Sequence, residues 1–336
     1  MPELELMKKN NWSLKLRNYV IGRLIQSIPL VFAVLTLNFI LIHSAPGDPI
    51  DLIIGEGDVS DELIQRTRAE FGLDKPLHVQ YFTYIYNVLQ LNLGHSVRYR
   101  IDVLDVIISR LPASILLMGT SFVLSSAVGI LLGLYVGPRK DSIADRIAVV
   151  ISILGYSMPV FFLGLIVLTV FSLQLGWFPT QGMYSIRNPQ EGWGLVLDVL
   201  HHLVLPVFTY SAFQLALIFR VTRVKMQQVI KEDYITTARA KGVQERRVIF
   251  RHAVPNTLLP IVTVLGFNFS WLLAGSVLTE TVFAWPGLGR LMFDAVSYRD
   301  YPLLMGLFVV LSSFVIIINL LTDIVYRSID PRVKFD

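Results

Sequence analysis

The sequence predicts an all-α integral membrane protein of six transmembrane helices, with both termini cytoplasmic and an extracytoplasmic loop between the first and second helices. Three observations carry that expectation. Of 336 residues, 54% are hydrophobic and only 16% charged, where about 25% charged is usual in soluble domains. Uncharged apolar runs long enough to cross about 30 Å of hydrocarbon, which takes roughly 20 residues, occur six times. They lie within Leu24 to Gly47, Leu111 to Pro138, Ile147 to Leu173, Val199 to Phe219, Ala253 to Thr279 and Tyr301 to Thr322. Threading them through a bilayer puts twenty of the 29 Lys and Arg residues on one side and nine on the other, and such residues concentrate in cytoplasmic loops. Anionic headgroups thus account for the net charge of +4 without nucleic acid.

Residues 1–23 read as a cytoplasmic and interfacial N-terminus. Met1 to Trp12 is polar and loosely held, and Leu14 to Arg23 has the basic amphipathic pattern of a segment lying at the inner headgroups. The first span, 24–45, has the basic flank of a signal peptide, but its apolar length of about 20 residues exceeds the roughly 7 to 15 of a signal core. His43-Ser44-Ala45 is also a poor cleavage site, so a retained anchor is expected. The loop 46–110 opens on the cluster Ala45-Pro46-Gly47-Asp48-Pro49. It continues into an amphipathic helix from Asp61 to Phe71, with Ser60 as N-cap and Gly72 as stop. A Tyr-rich helix from Val79 to Leu91 suits the membrane interface.

The other five spans make a core over 111–330, interrupted by a cytoplasmic loop at 220–256; a cytoplasmic tail, 331–336, follows. Gly129, Gly133 and Gly137 leave one face of the second span bare enough for close backbone contact, which ordinary packing within this chain would explain. In the third span Pro159 removes a backbone hydrogen bond and kinks the helix. Ser157 and Pro159 are therefore candidate gate residues, with a purely structural bend as the alternative. His201 and His202 open the fourth span, but neighbours on a helix point about 100° apart and cannot both serve one metal. No metal site is assigned. Glu280, after the fifth span, is a candidate path residue by its depth, unless Arg290 or the local turn neutralises it. Asp323 and Arg327, four apart, predict a local ion pair.

The cytoplasmic loop is the most informative stretch. Tyr234, Thr237, Ala238 and Lys241 fall on one face of a short helix, and Thr236, Thr237, Ala238 and Ala240 keep its surface low enough for another backbone to approach. Gly242 stands where the helix needs a left-handed stop, and a second basic helical run from Glu245 to His252 ends at Pro255. From charge alone the loop would also suit a plain positive-inside loop.

YITTARAKG followed by RRVIFRHAVPNTLLP resembles the signature loop of ABC importer permeases of the dipeptide, oligopeptide and nickel group. Gly242 and Pro255 hold its Gly and Pro positions, while Thr236-Thr237-Ala238 replace Glu-Ala-Ala. SAPGDP, FGLDKPLHVQY, LNLGHSV, Ser157-x-Pro159-x-Phe161, Glu280 to Gly289, Arg299-Asp300-Tyr301-Pro302 and Ile329-Asp330-Pro331-Arg332 extend the similarity over nearly the whole chain. The resemblance implies a type I importer permease. Tyr234, Thr236, Thr237, Ala238, Arg239, Ala240, Lys241 and Gly242, with Pro255, would then form a coupling helix and its flank, seated in an ATPase subunit. It implies as partners a second homologous permease, two ATPase subunits carrying ATP and Mg, and an extracytoplasmic solute-binding protein, in a bacterial or archaeal cell membrane.

The chain has no Gly-x4-Gly-Lys-Ser/Thr, so it does not cradle nucleotide phosphates itself. His-Glu-x-x-His, Gly-x-Ser-x-Gly and cysteine are also missing, so neither an enzyme nor a cofactor is assigned to this chain. An ion-coupled secondary transporter is the rival reading. It calls for charged residues at mid-depth, and the span centres have none.

Overall fold

The computed structural model describes residues 2–44, 65 and 75–329. The helix expected over 61–71, the Pro/Gly cluster near Gly47 and the tail 331–336 lie outside the described residues, as do the side chains of Asp323 and Arg327. Among the described residues four helices are long and apolar enough to cross a membrane: Ile21–Leu41, Val103–Arg139, Trp193–Val229 and Tyr301–Thr322. Two bent pairs qualify if each is one crossing, which brings the number to six. The chain is a multi-pass membrane protein.

It divides into two compact units, one of residues 1–112 and 291–324, the other of 113–290 and 325–336. In the first unit, α1 (Pro2–His43) is a single 42-residue helix. The polar residues ahead of the first span are thus helical from Pro2 onward. Residues 3–21 contain no Gly or Pro and several Leu, Lys and Glu, all good helix formers, so the helix begins far upstream of the membrane run. The Tyr-rich helix α2 (Leu77–Leu89) packs on it: Ile85 and Val88 are buried with Leu35, and Tyr81 and Tyr84 flank them. The Tyr81 and Thr36 hydroxyls lie 2.6 Å apart. Two of the aromatic residues expected at the interface thus face α1, while Phe82 and Tyr86 remain exposed.

Helix α3 (Val103–Val136) begins in the first unit and continues into the second. Asp300 caps α11 (Tyr301–Ile329) by accepting from the Leu303 N–H, and its other oxygen accepts from Ser96 Oγ and the Arg98 N–H.

The second unit is organised around α6 (Trp193–Val229), a 37-residue helix, about 55 Å long at 1.5 Å per residue. It runs ten residues beyond the expected end at Phe219, because Arg220 to Val229 contains no Gly or Pro to stop it. The glycine stripe of α3 packs against it. A Cβ on Gly133 would lie 2.6 Å from Thr222 Cβ, and one on Gly137 would lie 2.7 Å from Met226 Cβ. The bare face is filled by this chain's own helix. Helix α4 (Ile143–Ser157) and α5 (Val160–Val167), the latter continued by a π-helical turn over Leu168–Gln174, form a pair bent by 105°.

The short α7 (Asp233–Ala240) follows α6 directly. Next come α8 (Glu245–Arg247), a π-helical turn over Val248–Ala253 and α9 (Val254–Val282). The basic run therefore does not end at Pro255. Proline in the first turn of a helix lacks only an N–H that has no intrahelical partner there, so α9 passes through it, and the bend of 43° falls at Pro260 instead. Helix α10 (Leu288–Ser297) precedes α11.

Candidate coupling hairpin

Residues 230–256 build an exposed hairpin on the stem of α6. Ile235 and Ala238, the apolar pair one turn apart on α7, are buried with Met226 and Val229 of α6 and with Val248 and Ala253 of the returning arm. Burial of an Ile side chain is worth about 1.5–3 kcal/mol. The expected outward face of Tyr234, Thr237, Ala238 and Lys241 therefore loses Ala238, which is needed inside. Tyr234, Thr236, Thr237, Arg239, Ala240, Lys241 and Gly242 are exposed. Thr237 Oγ1 donates back to the Asp233 carbonyl at 2.9 Å, which draws its hydroxyl against the helix.

The stop at Gly242 has a definite geometry. Its φ is +73°, the Gly242 N–H donates to the Arg239 carbonyl, and the Val243 N–H donates to the Ala238 carbonyl. This is a Schellman closure, in which glycine takes the left-handed position without a Cβ penalty and the next residue folds back. Val243 packs on the Ala238 cluster, completing it. A Cβ on Gly242 would meet nothing within 4 Å, so backbone conformation alone demands glycine. Across the turn, Arg239 donates through Nε and Nη2 to the two oxygens of Glu245 at 3.0 and 2.6 Å. That carboxylate raises the guanidinium above its usual value. Pro255 is exposed at the start of α9.

Ser157 and Pro159 flank the break between α4 and α5. Helix α4 ends at Ser157, Met158 and Pro159 are both extended with ψ of 132°, and the Pro159 carbonyl accepts the first bond of α5 from the Leu163 N–H. The proline stands outside both helices, where its missing donor costs nothing. Both residues are exposed.

Glu280 is different. It is fully buried; Oε1 accepts from Ser114 Oγ at 2.8 Å and Oε2 from the Arg290 N–H at 3.0 Å. Ser114 Oγ also accepts from the Leu288 N–H. Trp285 Nε1 donates to the Ala113 carbonyl, fixing the same turn to α3. A Cβ on Gly287 would strike the Glu280 carboxylate and Ser114 Oγ, and one on Gly289 would strike the Val277 backbone. The pattern Glu-x6-Gly-x-Gly is therefore the footprint of one buried carboxylate and the turn closed over it. Arg290 meets Glu280 through its backbone N–H, while its guanidinium donates to the Ala284 carbonyl.

His201 and His202 diverge as their adjacency requires: His201 Nε2 lies 2.9 Å from the Trp177 carbonyl oxygen, and His202 Nδ1 lies 2.8 Å from that of Asp198. One pairing joins residues far apart in the chain. Arg223 and Asp145, 78 positions apart, form a forked ion pair. The only local hint is Ser142, whose Oγ accepts from the Asp145 N–H and starts α4.

Family models match in two adjoining parts. "Binding-protein-dependent transport system inner membrane component" covers residues 129–335, and the corresponding N-terminal model covers 16–118. The di/tripeptide transport system permease protein DppB of Pseudomonas aeruginosa is 38% identical over 332 residues, 94% of this chain and 98% of that protein. The glutathione transport system permease protein GsiC of Escherichia coli is 39% identical over 318 residues, 95% of this chain and 99% of that protein. The oligopeptide transport system permease protein AppB of Bacillus subtilis is 37% identical over 318 residues, 94% of this chain and 99% of that protein. Among solved structures, an inward-facing form of the methionine ABC transporter MetNI shares the fold with a TM-score of 0.53 at 17% identity, over 68% of this chain and 97% of that one.

Proposed function

The chain belongs to the family of binding-protein-dependent transport system inner membrane components, and on that premise we propose that it is a membrane-spanning permease subunit of an ATP-driven importer of peptide-like solutes. Dipeptides, oligopeptides and glutathione, named for the relatives, share a backbone of amides between an amine and a carboxylate. In this reading six spans cross a bacterial or archaeal inner membrane with both termini cytoplasmic. The loop 46–110 is extracytoplasmic, a second homologous permease completes the path, a binding protein delivers the solute, and two ATPase subunits engage the cytoplasmic loops.

The observation that carries this reading is the hairpin. A protein without a nucleotide site presents an exposed eight-residue helix, held inward by Ile235 and Ala238 and stopped by Gly242, at the end of a helix that runs through the membrane. ATP drives the cycle only if the ATPase binds it differently in the two states of the complex, because a ligand indifferent to them shifts nothing. Closure of the ATPases then displaces α7, and the long stem of α6 carries the displacement inward. The ion-coupled secondary transporter has the bent spans in its favour but no charged group at mid-span to bind its ion.

Gly242→Val tests the coupling role. A β-branched residue at φ +73° costs about 1–2 kcal/mol of local backbone energy. Insertion and protein level should be unchanged while import falls about tenfold, within the range of ordinary coupling energies. Equal import at equal protein level contradicts the role.

A further inference from the structure

Asp145 and Arg223 meet where α4 begins and α6 nears its end. The Asp145 carboxylate is 2% exposed and accepts from Arg223 Nε at 2.5 Å and Nη2 at 2.7 Å, and from the Asp141 N–H at 3.0 Å. Three donors around one buried carboxylate, two of them on a planar fork, fix both distance and orientation.

A second contact joins the same two helices further along. The rings of Tyr156 and Phe213 stack with centroids 4.9 Å apart and 15° between planes. Beside them, a Cβ on Gly155 would lie 3.4 Å from the Ala212 carbonyl oxygen. From Asp145 to Tyr156 is eleven residues, and from Phe213 to Arg223 is ten. At 1.5 Å per residue the intervals are about 16 and about 15 Å, so α4 lies antiparallel on α6 and is pinned at both ends.

What lies beyond each pin gives the arrangement its meaning. Past Arg223, the same helix contributes Met226 and Val229 to the cluster that holds Ile235 and Ala238 of α7. Past Tyr156, the chain breaks at Met158 and Pro159 and turns by 105° into α5. Apolar side chains alone would let two helices slide by a fraction of a turn at small cost. A buried fork does not, because any slide leaves a carboxylate without its partner.

We infer that the Asp145–Arg223 pair is a positioning pair for transport. It obliges the first half of the bent span to follow α6 when α7 is displaced, and so delivers the motion to the break at Met158-Pro159. This rests on the importer reading and adds to it the route by which the hairpin reaches the third span.

The test uses the complete complex in proteoliposomes, with second permease, ATPase subunits and binding protein, and radiolabelled trialanine as probe. It reads ATP hydrolysed per peptide imported, a ratio that loss of folded protein does not move. Asp145→Asn and Arg223→Gln should each raise the ratio about tenfold with ATP hydrolysis retained. Arg223→Lys, which keeps the charge and loses the fork, should fall between. The chain has no cysteine, so a D145C/R223C double variant can be bridged with a bifunctional methanethiosulfonate, and bridging should return the ratio toward the unmodified value. If the single variants do not accumulate, the double variant before and after bridging decides. An unchanged ratio in Asp145→Asn, or a bridged double variant that stays uncoupled, overturns the link while leaving the importer reading intact. An unmodified complex that neither hydrolyses ATP nor imports any peptide overturns the importer reading, and the link with it.

Discussion

The hairpin at 230–256 and the turn at 280–290 both carry charge, and both are functional suspects from sequence, yet they meet opposite fates. The turn draws its charge inside. Glu280 accepts from Ser114 and the Arg290 N–H beside glycines that leave room for it, and so holds the turn to α3. The hairpin keeps Ile235 and Ala238 inside and leaves its polar face exposed, with nothing in this chain covering Tyr234, Thr236 or Thr237 among the described residues. A buried carboxylate with donors around it can hold a turn in place. An ordered helix left uncovered is what the proposed ATPase contact requires.

The largest expected effect breaks the turn. Glu280→Ala leaves the Arg290 N–H and the Ser114 hydroxyl without their acceptor, and should cost about 2–6 kcal/mol, since each orphaned donor is worth about 1–3 kcal/mol. Thermal unfolding in detergent and the level of inserted protein measure it. Import per folded molecule in Glu280→Gln sharpens the contrast: it should be unchanged, and its loss would return Glu280 to the path. Next is Ile235→Ala, which removes about 2–4 kcal/mol from the hairpin cluster. Hydrogen exchange should speed up over α7 and leave the turn protected.

Gly287→Ala should cost about 1–3 kcal/mol by overpacking against Glu280 and Ser114, again without uncoupling the molecules that fold. Smallest is Arg239→Ala. An exposed ion pair such as Arg239–Glu245 is worth about 0–1 kcal/mol, so unfolding should barely move. Any larger loss of import would then report a contact made by the guanidinium outside this chain.

Much of this was legible in the residues. Apolar runs and Lys/Arg asymmetry announce the membrane class because burial in hydrocarbon leaves few alternatives. Gly242 announces the end of α7 because a left-handed stop has few solutions, and the four-residue glycine spacing announces a close helix contact. Three things were hidden. The inward turn of Ala238 depends on Ile235, whose partners Met226 and Val248 lie on other elements. Helix boundaries at Arg220 and Pro255 moved because charge marks where a membrane ends but not where a helix does. Asp145 and Arg223 could not be paired from sequence, since each looks like one more headgroup charge until the fold brings them together.

The most direct measurement places a photo-crosslinking amino acid at Thr237, on the uncovered face of α7, in cells expressing the whole transporter. The account predicts a crosslink to the ATPase subunit from Thr237 and none from the buried position Ile235. A Thr237 probe that labels no ATPase, or that reacts with an impermeant reagent added outside the cell, would contradict the claim that this helix is the point at which the permease is driven.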